Sequence, residues 1–71
     1  MDRNIFDQTL RAFKVAKPFR PFTVVLVNGD RVNVDDPEAF IIRDGVSGFI
    51  GRDGLPNVFW YDGVDRIDEV T

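Results

Sequence analysis

Phe22-Thr23-Val24-Val25-Leu26-Val27-Asn28-Gly29-Asp30-Arg31-Val32-Asn33-Val34 decides the fold of this chain. Two runs rich in β-branched residues flank Asn-Gly, a dipeptide suited to reversing a strand. The side chains also choose the register. A two-residue loop at Asn28-Gly29 would set Leu26 opposite Arg31 and Val24 opposite Asn33, mixing the two faces. A three-residue loop, Val27-Asn28-Gly29 with Gly in the left-handed position, sets Val24 opposite Val32 and Phe22 opposite Val34. Phe22, Val24, Leu26, Val32 and Val34 then share one buried face, which favours the longer loop. The opposite face carries Thr23, Val25 and Val27 beside Arg31 and Asn33. It is only partly polar and needs a cover, from a helix or from another subunit.

Working outward, the same punctuation recurs at Asp44-Gly45, Asp53-Gly54 and Asp62-Gly63. Gly accepts positive φ at no steric cost, so each pair marks a tight turn. Strands are expected at 22–27, 31–35, 39–43, 46–52, 57–61 and 66–70, with a turn at 35–38 and a short 3₁₀ turn at 62–64. Gly48 and Gly51 inside the fourth strand predict bulges or sharp bending, as a small closed barrel needs. The Arg-Asp-Gly triplets at 43–45 and 52–54 read as two hairpin turns.

Upstream, residues 5–17 read as a helix. Asn4 is the expected N-cap, with Asp7 completing a capping-box-like pair. Ile5, Phe6, Leu10, Phe13 and Ala16 fall on one side at helical spacing. Arg11, Lys14 and Lys17 lie toward the C-terminal end, where cations suit the helix dipole. Pro18 stops the helix. Residues 18–22 then form a stiff connector in which Pro18 and Pro21 favour extended backbone and Phe19 and Phe22 serve as anchors. The Pro-x-x-Pro spacing could also serve as a partner's ligand, but both prolines abut structured elements.

The expected fold class is therefore mainly β, one domain over 1–71. An N-terminal helix precedes a small, strongly bent, antiparallel barrel of five or six strands at 22–71. With 71 residues and no cysteine, the chain has no disulfide or thiolate zinc staple. Its stability must come from packing, supplied by seven Phe, one Trp and one Tyr, or from self-association. The absence of cysteine and of a signal-like or membrane-spanning apolar run predicts a cytoplasmic protein.

Composition excludes much chemistry. There is no histidine or cysteine, and the single serine, Ser47, has no base to activate it. Asp35, Asp36 and Glu38 cluster, as do Asp62, Asp65, Asp68 and Glu69, but neither set has metal-site spacing. No catalytic residue, metal site or cofactor is expected. The net charge of −3 argues against generic nucleic-acid binding. The charge is uneven: residues 1–22 carry five basic and two acidic residues, and the remainder carries four basic and ten acidic. Either the basic helix lies on its own acidic sheet, or it contacts a neighbouring copy.

Phe59-Trp60-Tyr61 is the strongest candidate contact. Adjacent strand residues point to opposite faces, so three consecutive aromatics cannot enter one core. Either the helix covers the second face, or an aromatic stands exposed as a binding hot spot.

The order of helix, Pro-rich connector, short strands and a 3₁₀-like turn before the last strand resembles the Sm-like and Src-homology-3-like small barrels. Pro18-Phe19-Arg20-Pro21-Phe22, then Leu26-Val27-Asn28-Gly29 and Pro37-Glu38, is similar to a group of short, uncharacterised bacterial proteins. That resemblance covers about residues 10–70 and implies a fold but no activity. The Sm-like analogy would imply a ring and RNA binding, although the chain is acidic and lacks a clear RNA-contacting motif after its fourth strand. The expected function is a non-catalytic protein-interaction module that self-associates through an aromatic strand face (Phe59, Trp60, Tyr61) or a sheet edge. The alternative is an Sm-like RNA binder using Arg11, Lys14, Lys17 and Arg20.

Overall fold

The hairpin that decides the fold forms in the expected register. In a computed structural model, which describes residues 1–70, Phe22 pairs with Val34 and Val24 with Val32. Leu26 N donates to Asp30 O at 2.8 Å and Gly29 N to Leu26 O at 2.9 Å, which closes the loop Val27-Asn28-Gly29. Gly29 holds φ +93°, the left-handed conformation this loop requires. Thr71, the last residue of the expected barrel, lies outside the described residues.

The chain runs α1 (Arg3–Val15), β1 (Phe22–Leu26), β2 (Arg31–Val34), a 3₁₀ turn (Pro37–Ala39), β3 (Phe40–Arg43), β4 (Val46–Ile50), β5 (Pro56–Trp60), a second 3₁₀ turn (Tyr61–Gly63) and β6 (Val64–Glu69). All strand pairs are antiparallel. They form two three-stranded sheets, ordered β2-β1-β6 and β3-β4-β5. The expected closed barrel is not found. The chain changes sheet at each 3₁₀ turn, and these turns interrupt the ladders. At the first, Pro37 has no N–H to donate, and the Asp36 carboxylate caps the turn by accepting from Glu38 N at 3.0 Å.

The fourth strand pairs without the bulge that its glycines suggested. Gly48 pairs in register with Ile41 on one side and Val58 on the other. Gly51 lies beyond the strand, in a turn closed by Gly54 N to Gly51 O at 2.9 Å. The register shift falls instead between β1 and β6, where Val25 faces Arg66 and Leu26 faces Val64. Asp65 is the additional residue of that bulge.

The helix begins two residues earlier than expected. Asp2, not Asn4, is the N-cap: its carboxylate accepts from Ile5 N at 3.0 Å. Asp7 is used elsewhere, accepting from Gly45 N at 3.1 Å and tying the helix to the β3–β4 turn. Phe6 and Leu10 are fully buried and Phe13 packs on the same core, whereas Ile5 faces solvent. Burying Phe6 and Leu10 contributes roughly 1.5–3 kcal/mol each, which stabilises a helix too short to persist alone. Ala16 takes extended backbone and ends the helix before Pro18, and the Lys17-Pro18 peptide is cis.

One aromatic chain unites the parts. Phe13 stacks on Phe22 with ring centroids 4.6 Å apart, and Phe22 meets Phe40 edge-on at 5.5 Å. Phe40 leads to Phe59 at 6.5 Å and Phe59 to Phe6 at 6.3 Å. Phe19 anchors the connector against Phe22 at 6.2 Å. Phe22 thus joins helix, connector and both sheets. The helix packs against β3 and the Tyr61–Gly63 turn, and Ile41, Val58 and Trp60 on the outer face of β3-β4-β5 stay exposed.

Candidate functional site

The outer face of β3-β4-β5 carries four exposed large apolar side chains. Strand alternation and register arrange it in rows. Ile41, Gly48 and Val58 form one row; Arg43, Val46 and Trp60 form the next; Ile50 and Pro56 begin a third. The inward residues between them, Phe40, Ile42, Ser47, Phe49 and Phe59, are buried. Ser47 is satisfied there, its hydroxyl donating to Ile41 O at 2.8 Å. Ile41, Ile50 and Val58 are each 54% exposed and Trp60 is 56% exposed. Leu55, in the loop before β5, is exposed beside them.

The three consecutive aromatics are therefore divided. Phe59 is 3% exposed and belongs to the core, so it is not available as a contact residue. Trp60 points outward from the last position of β5. Tyr61 leaves the strand, enters the 3₁₀ turn and packs partly buried against the core. Its N–H donates to Gly45 O at 3.0 Å. Gly45 itself is buried at φ +72°, and a Cβ there would lie 3.1 Å from the Tyr61 ring. Both the conformation and the close approach demand glycine.

The apolar face continues at both margins. Beside β3, a shallow groove shared with α1 is lined by Arg11, Lys14, Val15, Ile41 and Arg43. Beyond β5, a second groove brings Val58 and Trp60 next to Leu26 and Val27 of the first hairpin. Arg43 makes no ion pair among the described residues; its guanidinium donates only to Ile42 O, at 3.4 Å.

The expected basic contacts do not form one free surface. Lys14 donates through Nζ to the Phe40 carbonyl, so it holds the helix to β3. Arg20 pairs with Glu69 at 3.1 Å. Arg11 and Lys17 remain exposed on the helix and the connector. The acidic clusters are likewise occupied. Asp35 pairs with Arg52 at 3.0 Å, Asp36 caps a turn, and Asp65 and Asp68 hold Arg66 at 3.1 and 3.0 Å. The hydrogen bond and charge of Asp68, aided by Asp65, raise the Arg66 pKa above its ordinary value. Among the described residues, no group of three or more acidic side chains could hold a metal ion. Among the described residues, no helix is long and apolar enough to cross a membrane.

A groove of about 550 Å³ lies between α1 and the connector, lined by Ala12, Phe13, Ala16 and the paired Arg20 and Glu69. Its charged groups are exposed and already partnered or solvated, which gives it no built recognition point.

The sequence showed that Phe59, Trp60 and Tyr61 must split between faces, but not that Trp60 is the one outside. Ile41 and Val58 were not singled out, although Phe40-Ile41-Ile42 carries the same signal. Compared with known proteins, the chain matches no family model, no curated protein and no solved structure.

Proposed function

We propose that this protein is a non-catalytic protein-interaction module whose contact surface is the outer face of β3-β4-β5, centred on Trp60. The observation that carries this reading is the exposure of Ile41, Ile50, Val58 and Trp60 together on one sheet face. Their exposed area is on the order of 500 Å², at the upper end of what a monomer leaves uncovered. Trp is enriched at binding hot spots, where a large ring fills a desolvated pocket. A flat sheet face without a nucleophile, base or metal ligand set favours binding over chemistry.

The small-barrel analogy, Sm-like or Src-homology-3-like, accompanies this reading at the level of chain order: helix first, 3₁₀ turn before the last strand. Fold analogy alone does not assign a ligand. The commitment of Lys14 and Arg20 within the fold weighs against the RNA alternative.

Trp60→Ala tests the reading. Because the side chain is exposed, the variant should keep its fold by circular dichroism and lose at least tenfold in self-association or partner affinity. Unchanged association in a folded Trp60→Ala protein removes this face from the proposal. Salt-sensitive binding of single-stranded RNA, lost when Arg11 and Lys17 are neutralised, would replace it with the RNA reading.

A further inference from the structure

We infer that the occupant of this face is a second copy of the chain, related by a two-fold axis running along β4. The inference rests on the reading of the β3-β4-β5 face as a protein contact and adds the partner and its geometry.

Gly48 is the first reason. It sits in the centre of the middle strand of the face, paired in register with Ile41 and Val58. Its backbone does not require glycine: φ is outside the left-handed range, and an added Cβ would meet only Asn57 O at 3.8 Å and Val58 Cγ2 at 4.0 Å, ordinary contacts. Glycine in a strand interior weakens the strand and, where the ladder is unbroken, often marks close approach by another group. Among the described residues, nothing else comes within 4 Å of where a Gly48 Cβ would lie. Gly45 provides the contrast, because its own fold excludes a side chain there.

Self-complementarity is the second reason. A two-fold axis along β4 lays β3 of one copy over β5 of the other. The row Ile41–Gly48–Val58 then meets itself reversed, so Ile41 faces Val58 and the two Gly48 residues lie opposite each other across the axis, a hollow into which those flanking side chains lean. The row Arg43–Val46–Trp60 also meets itself reversed, which sets each Arg43 over the partner's Trp60 ring. A guanidinium over an indole face is a favourable cation–π pair, and Arg43 has no carboxylate partner of its own among the described residues. Aligned sheet packing at about 30° accommodates such a stack.

Area is the third. The exposed parts of Ile41, Ile50, Leu55, Val58 and Trp60 supply most of the roughly 800 Å² that each partner of a stable complex buries, and Arg43, Val46 and Pro56 extend the patch.

The test is a dilution series read by light scattering and by acrylamide quenching of Trp60, the one tryptophan in the chain. The wild type should move from twice 8.1 kDa toward 8.1 kDa, with Trp60 losing its protection in step. Gly48→Ala should weaken the dimer at least tenfold while raising the melting temperature of the dilute monomer, because the added methyl suits the strand but fills the hollow that the flanking side chains of the two copies share. Arg43→Glu should also weaken the dimer. A dimer with protected Trp60 that Gly48→Ala leaves unchanged overturns the two-fold geometry. A wild type that stays monomeric at millimolar concentration overturns the second copy, while the protein-contact reading of the face stands for a different partner. A dimer whose Trp60 remains fully accessible to acrylamide overturns both.

Discussion

The two sheets share one core and the same three-stranded antiparallel plan, yet their outer faces end differently. On β2-β1-β6 the apolar residue lies in the middle and the polar residues at the flanks. Val25 is only 5% exposed, and its register partners on the two neighbouring strands are Arg31 and Arg66, whose long side chains can lie along an apolar neighbour. Thr23 donates to Asn33 Oδ1 at 2.8 Å beside it, and Asp65 and Asp68 hold Arg66 in place. On β3-β4-β5 the order is inverted: glycine lies in the middle, with Ile41 and Val58 at the flanks. Long polar side chains at the flanks can close over a central valine. Apolar flanks around a glycine cannot close over themselves, and the face stays open. On the face for which the sequence raised the need of a cover, Thr23 and Val25 are buried and Val27 stays exposed, while four large apolar side chains stand exposed on the other sheet.

The largest expected effect tests whether the two sheets are one cooperative unit. Phe22→Ala removes the ring that joins helix, connector and both sheets and should cost about 3–5 kcal/mol. Urea denaturation followed by circular dichroism and by Trp60 fluorescence should show both sheets lost in one destabilised transition. Two separated transitions would mean that the sheets do not share their stability. Next comes the pair of glycines. Gly45→Ala places a Cβ at positive φ against Tyr61 and should destabilise by about 1–3 kcal/mol. Gly48→Ala should instead stabilise the dilute monomer by about 0.5–1 kcal/mol. Equal signs in thermal melts would refute the distinction drawn between these positions. The smallest effects compare the outer faces directly. Val25→Ala should cost about 1–2 kcal/mol because the side chain is already covered. Val58→Ala should change monomer stability by less than about 0.5 kcal/mol. If both cost the same in the dilute monomer, the two faces are not different in kind.

Much of this fold was readable before any coordinates. The register of the first hairpin followed from five apolar side chains that had to share a face, a constraint that a one-residue slip would violate. The helix was legible from Phe6, Leu10 and Phe13, but its cap was not. Asn4 and Asp2 are both competent N-caps; Asp2 takes the role, and Asp7, the partner expected for an Asn4 cap, is engaged by Gly45 from across the fold. The glycines of β4 misled for a related reason: sequence shows that glycine is tolerated, not whether a bulge or an open surface explains it.

For the candidate site, local pattern determined that Phe59, Trp60 and Tyr61 could not all be buried on one face, because strand side chains alternate. It also determined a chain without thiol, imidazole or disulfide. Only the tertiary structure decided which aromatic is outside, that Lys14 and Arg20 are engaged by Phe40 and Glu69, and that Ile41, Ile50, Val58 and Trp60 come together around Gly48. The physical reason is range. Alternation, turn preference and capping act over a few residues and are written locally, whereas exposure depends on which strands become neighbours and on which side the rest of the chain packs.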